Sequence, residues 1–515
     1  MTKAAERTRL GVAALLMAAS VLLSRVLGYA REMVLAYRAG AGAATDAYYA
    51  AFQLPDLLNY LLVGGALSIA FLPLYTRLLA RGEQAAADHL CATVLGTLGT
   101  IAALATAVLW WWAEPLIAVQ FPRFDPATRA LTVRLTRIVL PAQVFFIAGG
   151  IVNATLLARQ RFGAAAIAPV LYNGGIIAGG LLLAPRLQQG VEGFAWGALI
   201  GAVLGPFAAP LWDARGRVRL RLRLAPGDRV FLAYLVVAAP LMFGQTLLTV
   251  DEWYERWFGA LLAPGTVAHL GYARRLMQVP VAVVGQALAA AALPLLARLW
   301  AEERRDELNQ MMLRTLQAGL ALAWLGAGAF FALATPLVQV IYQRGAFGSA
   351  DTTQVAAILA VLATAVPAWI TQQIAARAFY ARGDTWRPML LGTTVALAAI
   401  PLYLAVGQRF GVLGLAAAGA IGMSTNALAT LLLARRLHGA PDLSALFGTA
   451  ARAAAVAAVA AVVVRFTIGA HTGAAGTAPL TLVGGAALFT AVALPGAWLL
   501  GDAPMRQALR RFVRH

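Results

Sequence analysis

Cysteine occurs once in 515 residues, at Cys91. A single thiol can neither close an intramolecular disulfide nor build a cysteine cage for a metal, so redox chemistry is not expected. Charge is almost as scarce: only 12% of residues are Asp, Glu, Lys or Arg, about half the share usual in a soluble domain. No Walker A pattern, GxSxG elbow or histidine-rich metal motif occurs, which leaves ATP hydrolysis and metal catalysis unsupported. Long polar loops are missing as well. External connections such as "APGT" are minimal, so a folded extracytoplasmic enzyme domain has no room.

What is present is hydrocarbon. Apolar residues make up 61% of the chain and mean hydropathy is +0.74, the composition of an all-α polytopic membrane protein. The first apolar run continues well past Ala18-Ala19-Ser20, so the first helix is expected to stay in place and not be removed as a signal peptide. Segmentation at roughly 20 residues per span predicts about fourteen helices. They fall at approximately 10–38, 45–79, 89–112, 128–158, 163–184, 190–212, 228–262, 265–297, 309–333, 350–380, 387–406, 411–434, 448–468 and 478–500. With the N-terminus inside, about 24 Lys/Arg lie in internal loops and tails against about 7 outside, which puts both ends in the cytoplasm. The net charge of +19 follows this topology, and nucleic acid is not an expected partner. The densest internal cluster, Arg215, Arg217, Arg219, Arg221 and Arg223, reads as a topology anchor at anionic headgroups.

Shifting the chain on itself by about 221 residues reveals a repeat. "GGALSIAFLPLYTRLLA" falls on "GQALAAAALPLLARLWA", aligning Gly64 with Gly285, Pro73 with Pro294 and Arg77 with Arg298. In the same register "GVEGFAWGALIG" falls on "GVLGLAAAGAIG" and Arg161 on Arg382. Six spans separate corresponding points, so the halves enter the membrane in the same sense, as in transporters whose two bundles rock about a site between them. The expected organisation is an N-lobe at 1–222, a C-lobe at 223–440, and two further helices with a basic tail at 441–515.

Several charges lie inside apolar runs, where each costs about 2.5–3.5 kcal/mol on insertion scales and marks a partner or a wet cavity. Arg25 and Arg31 share the first helix, about 120° apart around its axis, and Glu32 follows. Arg31 and Glu32 could equally pair with groups on other helices. Asp46 opens the second span and doubles as a candidate N-cap. Arg274 and Arg275 lie on the eighth span. The seventh carries Asp251, Glu252, Glu255 and Arg256, of which Glu252 and Arg256 have the spacing of a local ion pair. A cavity lined by guanidinium forks suits a phosphate-bearing anion.

The strings "SRVLGYARE", "GAGAATDAYYAAFQLPDLL", "GALSIAFLPLY", "QRFGAAAIAPVLYN", "GYARRLMQVP" and "RAFYARGDTWRP" together resemble the MurJ (MviN) lipid II flippase family, within the multidrug/oligosaccharidyl-lipid/polysaccharide exporter superfamily. The resemblance covers nearly all of the chain. It implies fourteen helices, two six-helix lobes around a cationic cavity, and a final helix pair that forms a groove for a polyprenyl tail. It also implies that Arg25, Arg31 and Arg275 are cavity arginines and Asp46 the essential aspartate. The sequence departs from the pattern where Asn59-Tyr60 stands in place of an arginine pair, and Arg274 is new. Arg274 is therefore expected to supply the phosphate contact missing at Asn59. Asp251 resembles a cation-binding aspartate of some relatives, which admits Na+ or H+ coupling.

The expected function is transfer of lipid II between leaflets without bond making or breaking, with no cofactor and no required oligomer. Lipid II, membrane lipids and the cell-wall synthesis machinery are the expected partners. A lipid-linked O-antigen-type glycan flippase or a multidrug exporter of the same superfamily is the alternative; a polytopic glycosyltransferase is a more distant one, because no accessible acid pair stands near an outer membrane surface.

Overall fold

A computed structural model of the chain describes residues 3–62, 67–188, 190–248, 250–469 and 477–514, which contain helices and no strand. The first half comprises α1 (Lys3–Ala39), α2 (Ala43–Ala51), α3 (Gln53–Leu62), α4 (Leu72–Ala80), α5 (Gln84–Trp111), α6 (Ala113–Gln120), α7 (Pro126–Ala158), α8 (Gly163–Arg186), α9 (Val191–Ala214) and α10 (Arg229–Leu248). The second comprises α11 (Val250–Gly259), α12 (Thr266–Ala301), α13 (Arg305–Tyr342), α14 (Ser349–Ala363), α15 (Val366–Ala381), α16 (Trp386–His438), α17 (Leu443–Gly469), α18 (Ala478–Leu500) and α19 (Ala503–Arg514).

Nine of the described helices are long and apolar enough to cross a bilayer, and ten if α14 and α15, bent by 44°, form one span. The fourteen predicted spans do not all survive as single straight helices. The second predicted span is divided among α2, α3 and α4, with a π-helical turn at Leu67–Phe71. The eighth, α12, carries a π-helical turn at Val281–Gln286 directly after Pro280, whose ring cannot continue the hydrogen-bond ladder. Conversely, α16 merges two predicted spans but breaks at Gly411, where φ is 61° and ψ −140°, a conformation suited to glycine.

Two compact units form, Met1–Thr249 and Val250–His515. The division falls at 249/250, whereas the repeat suggests 222/223, because α10 belongs to the first unit's core. Phe231, Tyr234 and Ala238 are buried there with Phe71, Tyr75 and Leu90. In the second unit α17 and α18 pack along α13 through Ala321, Leu333, Val456, Ala460, Phe489 and Ala497. The helix pair outside the repeat is thus part of a continuous apolar core.

The motif "GVEGFAWGALIG" explains its own glycines. Gly193, Gly197 and Gly201 recur every fourth residue, so they share one face of α9 and let its backbone approach α8 closely. A Cβ at Gly197 would lie 2.9 Å from Ile176 Cα and 3.1 Å from Gly179 Cα. Backbone cannot step aside as a side chain can. Gly197→Val is expected to wedge α8 from α9 and destabilise the first unit by at least about 1–3 kcal/mol, seen as a lower midpoint in thermal denaturation of the purified protein; an unchanged midpoint would mean the helices separate freely.

Candidate functional site

In the first unit, helix α1 sets Arg31 beside α8 and, through Glu32, beside α2. Arg25 lies on an exposed stretch of α1 among Leu22, Leu23 and Val26, while Arg31 faces inward. The 120° between them accounts for the difference. Arg31 Nη2 donates to Glu32 Oε1 at 2.8 Å, and the carboxylate's other oxygen accepts from the Tyr49 hydroxyl of α2 at 2.6 Å. Arg31 Nη1 reaches Asn173 Oδ1 of α8 at 3.5 Å, and Asn173 in turn donates to the Pro169 carbonyl at 3.0 Å. Ser20 fastens α1 to the Ala166 carbonyl of the same helix. The Arg31 side chain keeps 18% of its surface accessible while Glu32 keeps 3%, so the cation is the reachable member of the pair.

Asp46 is 2% exposed and lies in the first turn of α2. It is not the cap: Gly42 occupies that position, and Asp46 comes four residues later. Its carboxylate therefore sits inside the helix start, where exposed backbone N–H groups favour negative charge. Asn59 donates to Gln143 Oε1 of α7 at 2.9 Å, which ties α3 to the neighbouring span.

In the second unit, Arg274 is 8% exposed and Glu255 4%. Arg274 Nε donates to Glu255 Oε2 at 2.6 Å and Nη2 to Oε1, a two-pronged fork between α12 and α11. The guanidinium also stands 5.8 Å from the centre of the Trp369 ring of α15. Arg275, one residue on, is partly exposed. The two arginines diverge as adjacent residues on a helix must. Closer to the start of α12, His269 Nε2 lies 3.0 Å from Asp351 Oδ1 of α14. Asp251 is on α11, but its side chain and that of Glu252 fall outside the described residues, as does the predicted Glu252–Arg256 pair.

Sequence reasoning did not single out Tyr49, Asn173 or Trp369, and it linked Arg256 with Glu252 without seeing that Arg274 would hold Glu255. A signal existed for the last. An acid on one span and a base on the next are natural partners when both are buried, because each is costly alone.

The fold is shared with a solved multidrug MATE transporter of the MOP superfamily in its inward-facing conformation, which superposes with a TM-score of 0.70 at 16% identity, over 81% of this chain and 94% of its own. A solved structure described as "Lipid II flippase MurJ, inward closed conformation" superposes with a TM-score of 0.79 at 20% identity, over 95% of this chain and all of that one. The family model "Lipid II flippase MurJ" matches residues 35–484, and the chain belongs to the MurJ family. Among curated relatives, the lipid II flippase MurJ of Burkholderia cenocepacia is 30% identical over 429 residues, 81% of this chain and 82% of its own. The probable lipid II flippase MurJ of Rhizobium tropici is 29% identical over 450 residues, 81% of this chain and 80% of its own.

Proposed function

We propose that this protein is a lipid II flippase, moving undecaprenyl-pyrophosphate-linked disaccharide-pentapeptide from the inner to the outer leaflet of the bacterial plasma membrane by alternating access. The observation that carries the reading is the family match over residues 35–484. The barrier to be removed is passage of sugars, peptide and two phosphates through hydrocarbon; the polyprenyl tail can stay in lipid, lodged in a groove at the C-terminal helix pair. No bond changes, and no residue is assigned a catalytic role.

In this reading Arg25, Arg31 and Arg275 bind the diphosphate. Arg31 is suited to an exchange of partners: it can turn from Glu32 toward a phosphate while Glu32 keeps the Tyr49 hydroxyl, so the buried carboxylate is never left without a donor. Asp46 supplies negative charge near the start of α2 in the first unit, and Asn59 takes the place of a cation. Arg274 contributes chiefly by fixing α12, and with it Arg275, through Glu255. Net drive would come from membrane potential or from Na+ or H+ at Asp251, at about 2.3 kcal/mol per unit charge per 100 mV. Both termini face the cytoplasm, the cell-wall synthesis machinery takes the product, and a monomer suffices. The arginines on α1 disfavour transport of cationic drugs, although MATE transporters share the fold.

The test is reconstitution in vesicles with fluorescent lipid II and a membrane-impermeant quencher. Protein-dependent loss of inner-leaflet fluorescence is expected, inhibited by undecaprenyl pyrophosphate and much less by undecaprenyl monophosphate. Transfer of an O-antigen-type lipid-linked glycan with none of lipid II would overturn the assignment.

A further inference from the structure

The linker between α9 and α10 does more than mark topology. Its residues 219–225 carry no helix, yet they are fastened to α5. The Arg223 amide donates to the Ala92 carbonyl at 3.0 Å and the Ala225 amide to Thr97 Oγ1 at 3.1 Å. Gly96 makes the approach possible, since a Cβ there would collide with the Arg223 backbone. Three of the five linker arginines are engaged by their own surroundings. Arg215 stacks 4.8 Å from the centre of the Trp212 ring, Arg217 donates to the Asp213 carbonyl at 2.8 Å, and Arg223 reaches His89 Nδ1 at 3.0 Å. Arg219 and Arg221 have no ion-pair or hydrogen-bond partner among the described residues.

Beside this strap a cavity of about 760 Å³ opens between α5, α7 and α9. Its walls include Gly99, Ala103, Val144, Ala148 and Phe207, and Arg221 is the one charged side chain among its lining residues. Leu222 and Leu224, at the same edge, are 78% and 65% exposed. The volume falls within the range of about 300–1,000 Å³ in which small molecules are held. An apolar slot lined by one uncommitted guanidinium, Arg221, with that of Arg219 two residues away on the same linker, matches an amphiphile that has a hydrocarbon chain and a phosphate head.

We propose that this cavity is a binding site for an anionic phospholipid of the cytoplasmic leaflet, one acyl chain lying between α5 and α7 and the phosphate on Arg219 and Arg221. The density of arginine on the linker fixes the leaflet. The site shares no residue with Arg25, Arg31, Asp46 or Asn59, so it stands or falls independently of the transported molecule.

Native mass spectrometry of the full chain, reloaded from vesicles of phosphatidylglycerol or phosphatidylcholine, tests this. One phosphatidylglycerol per chain is expected to be retained about tenfold more strongly than phosphatidylcholine. Arg219→Gln with Arg221→Gln should bring that preference close to unity. Gly99→Phe should reduce retention of both lipids about tenfold, because nothing lies within 4 Å of a Cβ at Gly99 and its ring would enter the slot without displacing backbone. On the unmodified protein, phosphatidylglycerol with a photoreactive acyl chain should label peptides containing Ala103 or Val144. Equal retention by Gly99→Phe and wild type, survival of the preference without both arginines, labelling confined to other segments, or a dimer that Gly99→Phe dissociates would each overturn the proposal.

Discussion

Glu255→Ala is expected to destabilise the second unit by about 3–5 kcal/mol, the range measured when one partner of a buried ion pair is removed. The reason is asymmetry. Arg274 is 8% exposed and aims two nitrogens at one carboxylate, so deletion of that carboxylate takes a two-pronged acceptor from a buried permanent cation; nothing in its chemistry lets guanidinium discharge itself. The double variant Glu255→Leu with Arg274→Met should recover most of the loss, since similar apolar volume replaces both charges at once. Thermal denaturation in detergent, with membrane yield as a second readout, decides the matter. Stability unchanged by Glu255→Ala would mean that Arg274 is satisfied without it. The same series separates positioning from substrate contact. If Arg274 acts only through the fork, Arg274→Ala loses stability and transport together, and arginine at position 59 restores neither. If it also supplies the phosphate contact missing at Asn59, Arg274→Ala still loses stability because Glu255 stays buried, but Asn59→Arg restores at least part of the transport.

How much of this was legible in the sequence depends on the range of the interaction responsible. The spans now seen as α5, α7, α8, α9, α17 and α18 follow from hydrophobic length alone, and their observed ends lie within a few residues of the predicted ones. The repeat motif carried its packing too: the spacing of Gly193, Gly197 and Gly201 is a one-face pattern, and that face meets α8. The π-helical turns at Leu67–Phe71 and Val281–Gln286 were not legible, because an extra residue in one turn is settled by how neighbouring helices take up the unpaired backbone groups. Asp46 looked like a cap because Thr45-Asp46 follows a glycine-rich turn, yet backbone geometry made Gly42 the cap and buried the aspartate. The charged residues on α1 were recognisable as functional candidates from their cost in hydrocarbon. Their partners were not, since Tyr49 and Asn173 are ordinary residues until the fold brings them to Glu32 and Arg31.

Arg31→Ala is expected to abolish complementation of a flippase-depleted bacterium while the protein still inserts in the membrane. A charge-assisted hydrogen bond contributes about 1.5–3 kcal/mol, and a guanidinium can make two to one diphosphate, so loss of the fork should slow transfer by two orders of magnitude or more. Part of any defect could arise elsewhere, because the same substitution removes a cation 2.8 Å from the buried Glu32 carboxylate. Glu32→Gln in the Arg31→Ala background controls for this: a neutral amide can still accept from Tyr49, so abundance and thermal stability should return while transport does not. Arg31→Lys makes a sharper distinction. Lysine keeps the charge but offers a single point of contact in place of a planar fork, so intermediate transport is expected if geometry matters and near-normal transport if charge alone suffices. Arg25, on the exposed stretch of α1, provides the complementary case, since Arg25→Ala should cost transport with little change in stability. Full rescue by Arg31→Ala at wild-type abundance would remove this arginine from the transport cycle and leave the contact with Glu32 as helix packing only.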